Sequence, residues 1–248
     1  MIYLTGFHAM DEALRSGSAR GATLLVSAPG PRVKRMMDEC GKAGVAVKRV
    51  QAAELERLAP GHRGAALALE TQAAAESAID LDDFFASLDG DSALVVMLDH
   101  IEDPHNLGAI LRSADVFGAD LVVLPERRAA KETDAVTRAS AGASAWVPVA
   151  NVPNLARALE SLKEAGFWTY AASMDGQSLP DAELSGRVAI VMGAEGSGVS
   201  RLLKERCDGI LSVPQYGHVD SLNVSVAAGI LMYEARRRLG PPPGRKRG

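Results

Sequence analysis

Beyond residue 92 the chain repeats one pattern, a short unbroken apolar run followed by a stretch of helical character, and this constrains the fold more than any other feature. The runs are Ala93–Leu98 (ALVVML), Leu121–Leu124, Phe167–Ala172, Val188–Met192 and Ile210–Val213, apolar on consecutive rather than alternate positions apart from Thr169 and Ser212. A strand with one wet face alternates. A strand that is apolar throughout is covered on both faces, as in a parallel sheet with crossover helices above and below it. The helical stretches are Leu81–Leu88, Asn106–Phe117, Pro153–Ala165 and Leu222–Arg238. The expected fold class is therefore α/β, a mainly parallel sheet with helices on both faces. Ligands of such sheets bind beyond the carboxyl ends of the strands, so the loops that follow the runs are the ones to inspect.

Residues 1–70 form a separate pattern. Helices at His8–Arg15, Pro31–Ala43 and Ala53–Leu58 alternate with strands at Ala22–Ala28, Val45–Val50 and Ala65–Glu70. Residues 71–80 (TQAAAESAID) read as a linker, 81–240 as a second domain, and 241–248 as a disordered basic tail. With 248 residues and 47% hydrophobic composition the chain can bury a proper core. No apolar stretch approaches the ~20 residues of a membrane span and no signal-type start is present, so a soluble cytoplasmic protein is expected. Cys40 and Cys207 lie far apart, and neither they nor the five histidines show metal-ligand spacing, which points to no metal.

The net charge of −4 hides an uneven distribution. Residues 1–73 carry 10 Lys and Arg against 7 Asp and Glu, residues 236–248 carry six basic and no acidic residues, and 74–235 carry 11 against 24. An acidic body with basic extremities can hold a polyanion at its edges and keep its centre for another ligand.

Three loops stand out. The first reads DHIEDPHNLGAILRSADVFGA. Asn106 suits a helix N-cap, and Arg112, nearly two turns on, can reach a phosphate or carboxylate or serve as a surface charge. The second, GAEGSGVS, sets Gly193, Gly196 and Gly198 around Glu195. Its G-x-x-G-x-G spacing reverses the dinucleotide fingerprint, and no helix opens at once to receive a pyrophosphate, so a nicotinamide dinucleotide is excluded. A ligand read by main-chain groups fits the glycines, as does a plain turn. The third, Val213–Arg238 (VPQYGHVDSLNVSVAAGILMYEARRR), places Ser221 and Asn223 at a helix start and then Ser225, Ala227, Ala228 and Gly229 together. Glycine inside a helix costs about 1 kcal/mol against alanine, so something is expected to approach this helix closely.

NLGAILRSADVFG, IVMGAEGSGVS and VPQYGHVDSLNVSVAAGILMYEARRR resemble, in order and separation, the three motifs of the SpoU (TrmH-type) RNA 2′-O-ribose methyltransferases of the SPOUT class. TGFHAMDEALRSG and GHRGAALAL are similar to the L30e/L7Ae-like RNA-binding domain of the ribosomal RNA members, chiefly the 23S rRNA guanosine-2′-O-methyltransferase branch. The resemblance spans about Ile2 to Leu239. It implies a C-terminal deep trefoil knot, a homodimer, and S-adenosyl-L-methionine as methyl donor, held near Met192, Gly193, Gly196, Val213 and Leu222. It also implies a reaction centre at Arg112 with Asn106, Glu195, Ser221 and Asn223 around it, and RNA contacts at Arg15, His62 and Arg63. The chain departs from the family pattern at Arg63, where relatives usually carry Gln, and at Gln215 and Tyr216, where Ile-Pro-Met is common; the latter two bear on the pocket rim. Competing readings are a tRNA ribose methyltransferase and a non-catalytic RNA-binding protein of the same fold. The N-terminal block favours rRNA.

Overall fold

In the computed structural model, the described residues are 2–242 apart from 17, 18, 20, 70–78, 127–135, 137, 138, 141, 142, 144, 145, 219 and 220. Most of the expected linker and the basic tail from 243 lie outside the described residues. The chain divides into two compact units between Ser77 and Ala78. No helix among the described residues is long and apolar enough to cross a membrane.

The N-terminal unit runs β1 (Ile2–Leu4), α1 (Phe7–Ser16), β2 (Thr23–Val26), α2 (Pro31–Lys42), β3 (Ala46–Arg49), α3 (Ala52–Leu58) and β4 (Ala65–Leu69). Its sheet has the order β1-β4-β2-β3, with β4 antiparallel to both neighbours and β2 parallel to β3. The interior strand β4 is buried at every position, whereas edge strand β3 is exposed at every position and carries Lys48 and Arg49. Charge on an edge strand discourages pairing with another chain.

The C-terminal unit runs α4 (Leu81–Ser87), β5 (Ala93–Asp99), α5 (Pro104–Val116), β6 (Leu121–Pro125), β7 (Val149–Val152), α6 (Leu155–Glu164), β8 (Phe167–Ser178), β9 (Arg187–Gly193), α7 (Arg201–Arg206), β10 (Gly209–Ser212) and α8 (Val224–Leu239). These strands form one parallel sheet in the order β10-β8-β9-β5-β6-β7. The continuous apolar runs split by parity. Leu94, Val96 and Leu98 pack with α5 and α8 on one face, while Ala93, Val95 and Met97 pack with α4 and α6 on the other. Successive side chains of a strand point to opposite faces, so an apolar run needs both faces covered.

Local chemistry moves several boundaries from where the sequence put them. α5 begins at Pro104 because the Asp103 carboxylate accepts the His105 N–H, so Asp103 and not Asn106 is its N-cap. α6 begins after Pro153, capped by Asn154. Strands β1 and β7 and helix α7 were not expected from the sequence; each is too short to show a periodicity. β8 continues to Ser178, but its pairing with β10 jumps, with Ile210 opposite Ala171 and Leu211 opposite Gln177. Residues 172–176 therefore leave the ladder as a lip beyond the carboxyl end of the sheet.

Two arginines at the basic end of α8 tie that helix to the rest of its unit. Arg236 is buried and donates to the carbonyls of Phe117, Gly118 and Gly240 and to the Asp120 carboxylate, which also accepts the Leu94 N–H. Arg238 donates to the Leu179, Pro180 and Ala182 carbonyls. Removing one partner of a buried charged network leaves carbonyls and a carboxylate unpaired. Arg236→Met should lower the unfolding free energy of the C-terminal unit by about 3 kcal/mol in a denaturant titration. Arg237→Met, which removes only an exposed pair with Glu234, should shift it by less than about 1 kcal/mol.

Candidate functional site

The carboxyl ends of β8, β9 and β10 surround a cavity of about 440 Å³. All five positions expected to hold the donor, Met192, Gly193, Gly196, Val213 and Leu222, line it, as do Glu195 and Ser221. Its floor is apolar, built from Met192, Leu211, Val213, Ala227 and Leu231. Among the described residues lining it no side chain is cationic, and Glu195 is the only charged one. A phosphate-bearing ligand would find no counter-charge there. A compact ligand with an apolar body and a positive centre suits both floor and carboxylate.

Close backbone approach makes the cavity possible. A Cβ on Gly193 would fall inside the backbone of Gly198 and Val199, and Gly196 and Gly198 have φ of +88° and +67°. The turn is tied by Gly198 N–H to the Ala194 carbonyl at 2.9 Å. On the opposite wall, a Cβ on Gly176 would lie 2.6 Å from the Ile210 carbonyl and 2.7 Å from the Leu211 nitrogen.

The starts of α5 and α8 meet at the rim. Asn223 is the N-cap of α8, accepting the Ser225 N–H at 2.9 Å and the Ser225 hydroxyl at 2.6 Å, and its Nδ2 donates to Asn106 Oδ1 at 3.0 Å. Two expected site residues 117 positions apart are thus joined directly. Arg112 lies on α5, exposed, outside the cavity lining, and among the described residues in no ion pair. Of the two rim departures, Gln215 lines the cavity and Tyr216 stands 97% exposed.

Two features of the site have no signal in the sequence. Asp99, 2% exposed at the end of β5, accepts the Ser200 N–H at 2.8 Å and also meets His100 Nδ1. His100 adopts a left-handed backbone with φ of 60°, uncommon for a residue with a Cβ. Asp99 thereby fixes the exit of the glycine loop. The second is the lip, where Lys204 of α7 donates to both oxygens of Asp175 at 2.7 and 2.8 Å and to the Ser173 hydroxyl at 3.0 Å. The Lys204 ammonium, with the Ser173 hydroxyl, holds the Asp175 carboxyl down to about 2. The thiols take no part: burial pushes Cys40 up to about 11 and Cys207 up to about 12.

In the N-terminal unit His62 is turned inward. Its Nδ1 accepts the Gly64 N–H at 3.0 Å, Nε2 lies 3.2 Å from Glu56, and its side chain is 12% exposed. Arg63 beside it is exposed. The 27–28 turn donates to the Gly64 carbonyl, and Val26 pairs with both Arg49 and Ala65. Arg63 and Arg49 therefore share one end of the sheet with the first turn of α2, where Arg32 is exposed. Arg15 is exposed near the end of α1.

The parallel sheet, the glycine-closed loop and the apolar-floored cavity define a small-molecule ligand site at the carboxyl edge of an α/β domain. The family is specific: residues 93–233 match the SpoU rRNA Methylase family, and residues 3–74 match a family described as RNA 2′-O ribose methyltransferase substrate binding. The chain belongs to the SpoU rRNA methylase family. It is 38% identical over 242 residues to a putative TrmH family tRNA/rRNA methyltransferase of Staphylococcus haemolyticus, covering 96% of each chain. It is 38% identical over 248 residues to the 23S rRNA (guanosine-2′-O-)-methyltransferase RlmB of Ralstonia nicotianae, covering 98% of each. An AdoMet-bound rRNA methyltransferase from Sinorhizobium meliloti shares the fold, with a TM-score of 0.75 at 24% identity over 96% of this chain and 87% of that one.

Two glycines separate the site from the helix packing. Gly193→Ala should destabilise the C-terminal unit by at least the ~1–3 kcal/mol of an overpacked core, because backbone rather than a side-chain tip must move. Gly229→Ala, whose Cβ would meet only the Ser113 hydroxyl at 3.6 Å, should instead stabilise it by up to about 1 kcal/mol. Denaturant midpoints of the two variants check both signs.

Proposed function

We propose that this chain transfers a methyl group from S-adenosyl-L-methionine to a ribose 2′-oxygen of RNA, a guanosine of 23S rRNA, the substrate named for the Ralstonia relative. The observation that carries the reading is the cavity lined by Met192, Gly193, Gly196, Val213 and Leu222, with Glu195 the only charged side chain among the described residues lining it. When bound there, the donor supplies an electrophilic methyl carbon. The remaining tasks fall to the chain. Glu195 gives the cavity its anionic wall, and the apolar floor excludes water. A guanidinium offers only donors, so Arg112 acts as a charge rather than a base, gripping the target phosphate and stabilising the alkoxide that forms on the ribose. Asn106 and Asn223 hold the starts of α5 and α8 in register, and Ser221 supplies a hydroxyl at the rim.

RNA is held in addition by the N-terminal unit, at the end of its sheet that carries Arg32, Arg49 and Arg63; contacts to phosphate make this binding salt-dependent. The protein works in the cytoplasm as a homodimer. Val226, Ile230 and Tyr233 of α8 are 36–55% exposed at helical spacing, an apolar stripe that a second copy would cover. Beside it runs a groove lined by Ala109, Ser113 and Gly229. The threading of the C-terminal segment into a knot belongs to the same reading, supported by the tight passage of β10 over Gly176.

Incubation with methyl-labelled S-adenosylmethionine and unmodified rRNA should place label in alkali-resistant linkages, because a 2′-O-methyl group blocks hydrolysis. Label in tRNA alone favours a tRNA substrate, and label in neither overturns the reading. Arg112→Ala should lower kcat at least ~100-fold and leave the donor's dissociation constant within twofold, since Arg112 lies outside the cavity lining. Loss of donor binding in that variant would contradict its role.

A further inference from the structure

The lip of residues 172–176 is an irregular wall of an otherwise regular site. It leaves the β10 ladder after Ala171 and rejoins it at Gln177, and the pairing of β8 with β9 also ends at Ala171. Ala172, Ser173 and Met174 nevertheless line the cavity. At its far end the lip is pinned by the Ser212 hydroxyl, which donates to the Gly176 and Gln177 carbonyls at 3.0 and 3.2 Å. Its middle is held from outside the sheet by Lys204. That side chain reaches back 29 residues to both oxygens of Asp175 and 31 residues to the Ser173 hydroxyl, which itself donates to Asp175 Oδ1 at 2.6 Å.

Lys204 stands on α7, directly after the glycine loop that forms the facing wall. That loop is anchored at its exit by Asp99 through the Ser200 N–H. The cluster therefore ties one wall of the cavity to the base of the other. Its partners are one-quarter to two-thirds exposed, a poor place to gain fold stability from an ion pair. By contrast, Arg201 and Glu205 of the same helix form a pair that touches neither wall.

We propose that Lys204 is a positioning residue of the methyl-donor site: through Asp175 and Ser173 it holds the lip against the cavity, and so sets donor affinity without touching the reacting atoms. This rests on the donor assignment above. Loss of the clamp frees the lip backbone around Ala172–Met174, and the donor must then order it on binding.

The test is calorimetric titration of the full-length protein with S-adenosylmethionine, alongside steady-state methyl transfer and thermal unfolding. Lys204→Met should weaken donor binding about fivefold, at the upper range for a partly exposed pair. kcat at saturating donor and the KM for RNA should stay unchanged, and Lys204→Arg should recover most of the affinity. Arg201→Met, the matched control, should bind donor like the parent. The proposal is overturned if Lys204→Met binds donor within twofold of the parent, or if its affinity and melting temperature fall together with those of Arg201→Met. Absence of donor binding by the parent protein itself would overturn the donor assignment, and this inference with it.

Discussion

Where β9 ends, there is no room for a side chain. Gly193 lies against the backbone of Gly198 and Val199, and across the cavity Gly176 lies against Ile210 and Leu211. These two approaches let the loops after β8, β9 and β10 close around one space instead of splaying into solvent. Any Cβ at either position must displace backbone, which a close-packed interior accommodates badly. The cavity and the placement of Glu195 on its wall follow from that closure.

Behind the site the central strands β5, β6 and β9 bury nearly every residue, alternately against one helical layer and the other. Against this frame α8 is locked at both ends. Asn223 caps its start and reaches Asn106, while Arg236 and Arg238 bind carbonyls at its end. A helix fixed in this way keeps Val224, Ala227 and Leu231 on the cavity wall. Its small residues prove to have separate uses. Ala228 is fully buried, Ser225 completes the cap, and Gly229 faces an open groove.

The sequence made the layered α/β architecture legible through its apolar runs, and glycine spacing marked the loop, whereas the residues lining the cavity came from the resemblance to the SpoU family. What it hid depends on distance. Asn106 reads as a cap until Asp103, with Pro104 in the first helical position, is seen to take that role and release Asn106 to meet Asn223. The charges of Arg236 and Arg238 read as a free basic end until their carbonyl partners, some 118 and 56 residues away, come into view. His62 sits in a motif that suggests a ligand contact, yet its ring is spent on Gly64 and Glu56. Asp99 and Lys204 carry no motif, and only the fold reveals which loops they hold.

With an apolar floor and, among the described residues lining it, no cation, this cavity takes a positively charged nucleoside and not a phosphorylated one. Calorimetric titration of the purified chain with S-adenosylmethionine, and separately with ATP and NAD, tests it directly. One S-adenosylmethionine should bind per chain, with no heat of binding from either phosphate-bearing nucleotide at the same concentrations. Binding of ATP or NAD, with none of S-adenosylmethionine, would contradict it.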